Sequence, residues 1–147
     1  MERKTIVVSA FPACGKSYFS RKNSNLKVSD SDSSNFHRNG KLDVDWYVNG
    51  HIKSMIGKCD YIFVSSHLDV RHKMEKEGIK FVTVYPSLDS KDAFLKRMRE
   101  RGNDEKFLKL LNTNWENWVG SIEDEPHGEK IVYLNKNEYL SDVLEKL

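Results

Sequence analysis

The sequence predicts an α/β fold, a three-layer sandwich in which helices cover both faces of a five-stranded parallel sheet. Three observations predict it. Short apolar runs rich in β-branched residues recur along the chain, helix-like segments separate them, and Gly or Pro marks many of the boundaries. The strands are expected at residues 5–9, 26–29, 61–64, 80–85 and 131–134. Because ligands bind at the carboxyl ends of such strands, the loops after the first four strands are expected to converge on one site.

The segments between the strands carry the apolar spacing and the end signals of helices. A short helix is expected over 18–22, and charged helices over 68–77 and 90–101 are each followed by a glycine. From Asp43 a helix that Gly57 can end is indicated by Val44, Val48, Ile52, Met55 and Ile56. Residues 35–41 are expected to be irregular, with a turn at Asn39-Gly40.

Two further helices are expected towards the carboxyl end. An amphipathic helix is marked by Phe107, Leu111, Trp115, Trp118, Val119 and Ile122. Their spacing favours core packing for Trp115 and Trp118 over stacking on a nucleotide base. A final helix is expected over 138–147, after the last strand.

Composition restricts the class of protein. The 147 residues suit one domain, 1–147, and 31% of them are charged. Lys and Arg number 24 against 22 acidic residues, and a net charge of +2 does not require nucleic acid or an acidic membrane as partner. Two cysteines, with no signal peptide and no membrane-span-length apolar run, favour a reduced, cytoplasmic setting.

Residues 10–17, Ala-Phe-Pro-Ala-Cys-Gly-Lys-Ser, follow the first strand and precede the first helix. A phosphate-binding P-loop requires this strand–loop–helix context, in which backbone N–H groups and a helix start surround an anion. Lys16 is expected to reach the β- and γ-phosphates of ATP, and the Ser17 hydroxyl to ligate Mg²⁺. The expected cofactor-binding residues are Pro12, Ala13, Cys14, Gly15, Lys16, Ser17 and Tyr18.

Two alanines depart from the usual loop pattern, which has Gly at the position of Ala10 and often at that of Ala13. A methyl group adds bulk and disfavours positive φ, so the loop must turn without glycine at these two positions. Binding is expected to survive, because Gly15, Lys16 and Ser17 make the closest contacts. Cys14 is interpreted as a small residue that fits the loop rather than as a reactive thiol.

Asp30 and Asp32 follow the second strand, across from the expected γ-phosphate. A carboxylate there can accept the proton of an attacking hydroxyl or hold the metal through water. Asp30 lies nearer the strand end and is preferred as the base or the acceptor-binding group. The alternative is local, because an Asp-Ser-Asp-Ser sequence also serves as a helix cap or an Asx-turn.

The loop after the third strand reads Ser65-Ser66-His67 and lacks the acid that many P-loop enzymes place there. Ser65 or Ser66 could contact the metal through water, and His67 could contact an acceptor or cap the next helix. Arg38, with His37, could meet an acceptor phosphate or base, and Trp46 could line the same side. The expected substrate-binding residues are therefore Asp30, Arg38, Ser65 and His67.

Arg97 and Arg101 lie four residues apart on one face of a basic helix, and Gly102 follows as a hinge. A guanidinium that closes over a nucleotide stabilises the charge of phosphoryl transfer. A small helical lid is therefore expected over about 90–120, with Arg97 and Arg101 joining Lys16, Asp30 and Asp32 as catalytic residues. The alternative is a solvated basic face.

The loop at 10–17 resembles the Gly-x-Pro-Gly-x-Gly-Lys-Ser/Thr loop of small P-loop kinases, among them nucleoside monophosphate kinases and polynucleotide kinases. Nearly the whole chain is similar to small P-loop proteins of bacteriophages. The shared features are Asp30-Ser-Asp32, residues 61–67, Val84-Tyr-Pro86, Arg101-Gly102 and residues 114–118. The resemblance implies a P-loop NTPase-type fold, Lys16 and Ser17 as phosphate and Mg²⁺ ligands, acceptor-side acids at Asp30 and Asp32, lid arginines, and phage or bacterial host cytoplasm.

These observations lead to one expectation and two alternatives. The expectation is an ATP-dependent kinase of a nucleoside monophosphate, most simply a deoxynucleotide. One alternative is a kinase of a 5′-hydroxyl on a nucleoside or a nucleic-acid end, for which Asp30 would be an essential base. The other is a non-catalytic ATP-binding regulator, which the alanine-substituted loop and the missing acid at Ser65 favour.

Overall fold

The computed structural model describes residues 4–31 and 33–147. Its main sheet is five-stranded and parallel, in the order β2-β5-β1-β6-β7. The strands within the described residues are β1 (Ile6–Ala10), β2 (Val28–Asp30), β3 (His37–Arg38), β4 (Lys41–Leu42), β5 (Tyr61–Val64), β6 (Val82–Pro86) and β7 (Ile131–Leu134). All five predicted sheet strands are confirmed, and two of them have the predicted bounds.

Helices connect the strands and cover both faces of the sheet. They are α1 (Lys16–Lys22), a π-helix (Trp46–Ile52) that continues into α2 (Lys53–Met55), α3 (Leu68–Lys76), α4 (Lys91–Glu100) and α5 (Glu105–Gly120). Short 3-10 turns span Ser33–Phe36, Leu88–Ser90, Ile122–Asp124, Leu140–Asp142 and Leu144–Lys146. No helix among the described residues is long and apolar enough to cross a bilayer.

The strands bury alternate side chains in two cores. Val8 and Ala10 of β1 pack into one cluster with Phe19 of α1. Val7, their neighbour on β1, packs into the other with Val48 of the π-helix and Met74 of α3. Because neighbouring strand residues face opposite sides, helices are needed on both faces, and the three-layer α/β architecture is confirmed.

The strand order also indicates where a ligand-binding crevice lies, at the carboxyl ends of β1 and β6. From β1 the chain crosses to β2 on one side, whereas from β6 it crosses to β7 on the other side. Strands β1 and β6 are neighbours, so the chain leaves their carboxyl ends, Ala10 and Pro86, in opposite directions. Ligands of open parallel sheets bind outside such a point.

Two predicted segments differ from the structure. The predicted helix over 138–147 is wrong, because Asp142 accepts a hydrogen bond from the Tyr139 N–H and the chain forms 3-10 turns instead. The segment expected to be irregular at 35–41 contains the antiparallel hairpin β3–β4. Its turn is the predicted Asn39-Gly40 pair, with φ of +54° and +76°, as two-residue hairpins require.

The predicted helix after Asp43 is present but has π geometry over most of its length. A π-helix has more residues per turn than an α-helix, so it buries a different set of side chains. Tyr47 is fully buried although the α-helical spacing omitted it, and Ile56 is 42% exposed although the spacing included it.

The predicted lid region belongs to the core. Phe94 and Met98 of α4 pack with Leu111 and Trp115 of α5 in the cluster that contains β1 and β6. Only the turn at 101–104, between the two helices, lies outside this packing among the described parts of the region. The core position predicted for Trp115 is confirmed, whereas that for Trp118 is wrong, because Trp118 is 40% exposed at the edge of the apolar face.

Candidate functional site

A cavity of about 670 Å³ lies at the carboxyl ends of β1, β2 and β5, and we call it the polar cavity. Its lining residues are Ala10, Pro12, Ala13, Gly15, Lys16, Tyr18, Asp30, Ser31, Ser33, Ser65, Ser66, His67, Arg97, Glu100, Arg101 and Tyr139. The predicted convergence holds for the loops after β1, β2 and β5, which all contribute to this wall, whereas the described residues of the loop after β6 contribute none. The volume is in the range of small-ligand sites in proteins.

The loop between β1 and α1 turns through two left-handed residues. Gly15 has φ of +94° and Ala13 has φ of +68°. The predicted difficulty at Ala13 is thus real, because an L-residue in this region costs about 1–2 kcal/mol. Among the residues described, none accepts a hydrogen bond from the N–H groups of Ala13, Gly15 or Lys16, so these donors remain available to a ligand.

Lys16 lines the polar cavity beside Pro12 and the exposed ring of Tyr18. Cys14 does not, because its side chain is fully buried and its Sγ approaches the Val84 carbonyl oxygen at 3.8 Å. Burial raises the pKa of the Cys14 thiol to about 12, which makes the thiolate scarce. Ser17 begins helix α1 with Lys16, and the position predicted for its hydroxyl lies outside the described part of the chain.

Arg97 fixes the loop of residues 10–17 to the segment after β7, and we call this set of hydrogen bonds the Arg97 clamp. Its Nη1 donates a hydrogen bond to the Ala13 carbonyl oxygen at 3.2 Å. Its Nη2 donates to the carbonyl oxygens of Lys136 at 3.1 Å and Glu138 at 2.6 Å. The side chain is 8% exposed, and its guanidinium lies over the ring of Tyr139. Three of its five N–H donors are thus committed to backbone, which makes it a positioning residue for the loop. Its contact with a phosphate stays a prediction.

Arg101 is exposed and lines the polar cavity beside Glu100. It follows the last residue of α4, and Gly102 after it has φ of +92°. A guanidinium on such a turn can reach a bound anion without unpacking a helix. Of the two predicted lid arginines, Arg101 is therefore the one placed to move.

Asp30 ends β2, is exposed, and lines the polar cavity. Asp32 lies outside the described residues. Between them, Ser31 is 5% exposed and is hydrogen-bonded to the half-buried His51 and the fully buried Tyr47. Its Oγ and His51 Nε2 are hydrogen-bonded at 2.9 Å, and its carbonyl oxygen accepts from the Tyr47 hydroxyl at 2.5 Å.

The π-helix holds this end of β2 in place. Tyr47 and His51 lie four residues apart, with rings stacked at 6.3 Å. The Tyr47 hydroxyl also accepts from the Ser65 N–H at 3.0 Å, so it joins the ends of β2 and β5. Burial of the imidazole lowers the pKa of His51, which favours its neutral form.

Ser65 and His67 lie where predicted, on the wall of the polar cavity. The Ser65 carbonyl accepts from Ser9 Oγ at 3.1 Å, and its Oγ accepts from the His67 N–H at 3.2 Å. His67 occupies the cap position of α3, but its side chain makes no cap hydrogen bond. Arg38 is not brought into this cavity, because it pairs with Asp43 at 3.3 Å and lies over the ring of Trp46.

Tyr139 is the lining residue that the sequence interpretation missed. Its ring lies where a side chain on Gly15 would be, with Cδ1 2.9 Å from the ideal Cβ position, so only glycine fits there. Its neighbour Leu140 donates its N–H to the Cys14 carbonyl at 2.9 Å. Strand topology could have indicated Tyr139. Ligands bind at the carboxyl ends of parallel strands, and the loop after β7 begins at that same edge of the sheet.

The donor set of the polar cavity suits an anionic ligand. Lys16, Arg101 and the uncommitted N–H groups of the loop suit phosphate oxygens. In the described ranges no three His, Cys, Asp or Glu side chains are grouped as for a metal ion. A cation here would depend on phosphate oxygens, hydroxyls and water, which is how Mg²⁺ accompanies nucleotides.

No family model and no curated protein matches the chain. Among solved structures, the chain is similar to an uncharacterized protein from Eubacterium ventriosum ATCC 27560. The two are 11% identical, and the match covers 99% of this chain and 96% of that one with a TM-score of 0.53. At this identity the likeness concerns the fold alone, and it supports an α/β architecture over the full length of both chains.

Proposed function

We propose that the protein is an ATP-dependent phosphotransferase of the P-loop type that acts on a nucleoside monophosphate. The observation that carries the proposal is the loop of 10–17, where Ala13, Gly15 and Lys16 line a cavity that also holds Asp30 and Arg101, and where their N–H groups have no acceptor among the described residues. A phosphate-binding loop and a second set of polar groups on one cavity are what a two-substrate transfer requires.

In the proposed mechanism the chain positions two anions and neutralises their charge. Lys16 and the loop N–H groups bind the phosphates of ATP, and Arg97 keeps the loop in its strained shape. Arg101 approaches the transferring group from the turn after α4. An acceptor phosphate oxygen bonds to the γ-phosphorus as the bond to the β-phosphate oxygen breaks, which yields ADP and a nucleoside diphosphate. Mg²⁺, when bound, would offset the charge on the β- and γ-phosphates.

A kinase of a 5′-hydroxyl remains the second candidate, because Asp30 places an exposed carboxylate on the cavity wall. A hydroxyl acceptor must lose a proton, and Asp30 would take it, whereas a phosphate acceptor is already ionised. Asp30→Asn separates the two. Transfer to a nucleoside monophosphate should fall by about tenfold or less, whereas transfer to a 5′-hydroxyl should fall by about 10²–10⁴.

The test is Mg²⁺-dependent transfer of the γ-phosphate of ATP to nucleosides, nucleoside monophosphates and 5′-hydroxyl oligonucleotides. Lys16→Ala should reduce transfer by about a hundredfold or more. Lys27→Ala, an exposed lysine before β2 and away from the lining residues, is the matched control and should leave it unchanged. ATP binding without transfer to any acceptor would overturn the proposal in favour of a non-catalytic ATP-binding protein.

A further inference from the structure

A second cavity of about 500 Å³ opens beside the polar cavity, and we call it the apolar pocket. Phe11, Tyr85 and Leu111 form its buried floor, while Leu68 and Trp118 are each 40% exposed at its rim. Exposed large apolar side chains on two facing elements, here α3 and α5, leave contact area that a ligand can cover.

The apolar pocket is continuous with the phosphate site. Pro12, Ser66 and His67 line both cavities, so a molecule can extend from one into the other past these residues. The two cavities also differ in chemistry, since the polar cavity carries Lys16 and Arg101 and the apolar pocket is lined mainly by aromatic and aliphatic side chains. A ligand that consists of a phosphate joined to an aromatic ring has one charged part and one apolar part, which match the two cavities.

The charges inside the apolar pocket are compensated. Arg71 has a side-chain exposure of 4%, and its Nη2 donates to Glu125 Oε1 at 3.1 Å. Its Nε donates to the Ser66 carbonyl at 3.0 Å and its Nη1 to the Pro126 carbonyl at 2.9 Å. Arg71 thus fixes the wall and leaves no net charge from this pair, which suits an uncharged ring rather than a second phosphate.

One polar group at the rim can read the edge of such a ring. Asn117 lies on the exposed side of α5 beside Trp118 and lines the apolar pocket. Its amide offers a donor and an acceptor together, as the edges of nucleobases do. Trp118 supplies a face on which a base can stack.

Transfer between two nucleotides requires two base sites, and aromatic side chains lie at both ends of the loop of 10–17. At the α1 end of the loop, the exposed rings of Tyr18 and Tyr139 lie 6.3 Å apart. At the β1 end, Phe11 and Pro12 border the apolar pocket, next to the loop that follows β5. This loop adjoins the end of β2, where Asp30 lies, because the ends of β2 and β5 are joined through Tyr47.

We infer that the apolar pocket binds the base of the acceptor nucleotide, with Trp118 as the stacking surface and Asn117 as a specificity residue. The assignment of this base to the acceptor nucleotide rests on the proposed function. The donor base then lies at the Tyr18 and Tyr139 end, so ATP and the acceptor nucleoside occupy separate sites and bind together.

The test uses the four natural 2′-deoxynucleosides as uncharged probes, with binding measured by calorimetry or ligand-observed NMR. At least one should bind the protein, should bind Lys16→Ala equally, and should remain bound in saturating ATP. Trp118→Ala should weaken it by about tenfold or more. Tyr133→Ala is the matched control, because Tyr133 is 38% exposed on β7 and lies outside the pocket.

Leu68→Glu provides a second variant at the rim, in case Trp118→Ala does not fold. It should weaken the nucleoside comparably by placing a charge at the mouth, and Asn117→Ala should change which base is preferred. The inference is overturned if no nucleoside binds, if ATP displaces the nucleoside, or if folded Trp118→Ala or Leu68→Glu binds as the unaltered protein does. Nucleoside binding lost in Trp118→Ala without any γ-phosphate transfer would refute the proposed kinase activity and leave the ring site standing.

Discussion

The guanidinium carbon of Arg97 lies 3.8 Å from the centre of the Tyr139 ring. The same guanidinium holds the carbonyl of Ala13, and the same ring closes over Gly15. The loop of residues 10–17 is therefore held from α4 and from the segment after β7 at once. Its strained backbone persists because distant parts of the chain fix it, as expected of strain at a functional site.

The clamp predicts opposite outcomes for the two arginines. Arg97→Lys replaces a guanidinium that donates to three backbone carbonyl groups with an ammonium group that cannot reach all three. We therefore expect the free energy of unfolding to fall by about 3 kcal/mol. Arg101→Lys, its matched control on the exposed turn, should change it by less than about 0.5 kcal/mol. Urea unfolding measures both. Equal stability of the two variants would contradict the clamp.

The two alanines of the loop should respond in opposite directions to glycine. Ala13→Gly removes a positive-φ cost of about 1–2 kcal/mol and adds an entropic cost of up to about 1 kcal/mol, so the free energy of unfolding should rise by about 0–2 kcal/mol. Ala10 ends β1 and is 2% exposed, so Ala10→Gly should lose about 1–2 kcal/mol. Thermal and urea unfolding test the pair, and a loss at both positions would show that Ala13 is not strained.

Cys14 should be inert while the protein is folded. Burial raises the pKa of its thiol to about 12, and the side chain has no exposed surface. We expect a thiol-specific reagent at pH 8 to label Cys14 only at the rate of unfolding, with labelling complete in denaturant. Peptide mapping identifies the labelled site. Rapid labelling in native buffer would place Cys14 at the surface of the loop.

His51 should make stability fall in mild acid. Burial lowers its pKa below the ordinary value, so between the two values the unfolded chain binds more protons. Unfolding free energy therefore rises with pH in that window, and decreases as pH falls below about 6.5 towards the lowered value. His51→Gln, measured by urea unfolding at pH 5 and pH 8, should reduce the difference between the two pH values. An unchanged difference would assign the dependence to other groups.

The sequence was sufficient for the centre of the sheet because β5, β1 and β6 are largely apolar runs buried on both faces, a pattern that local chemistry alone produces. It was insufficient where distant partners decide the backbone. The apolar residues near the carboxyl end have helical spacing, but the Cys14 carbonyl takes the Leu140 N–H and the Asp142 carboxylate takes the Tyr139 N–H. Both are contacts that spacing cannot anticipate.

The candidate site divides in the same way. Lys16, Asp30 and Ser65 were predictable, because residue type and position after a strand place them at one edge of the sheet. The hydrogen bonds from Arg97 to the loop were not predictable. Helical spacing indicates which side of α4 carries Arg97, but not which backbone carbonyl groups lie against that side. Trp118 was assigned to the core because heptad-like spacing does not separate the centre of an apolar face from its edge.

Because a protein is synthesised from its amino terminus, the contacts that shape the loop of residues 10–17 form at different stages of synthesis. The loop carrying Lys16 is made early, yet its shape depends on Val84 in the middle of the chain, on Arg97, and on the segment from Lys136 to Leu140. A nascent chain that stops short of that segment has the residues of the loop without the contacts that fix its shape. The native shape of the loop should therefore appear late in synthesis, only after the segment from Lys136 to Leu140 has been made.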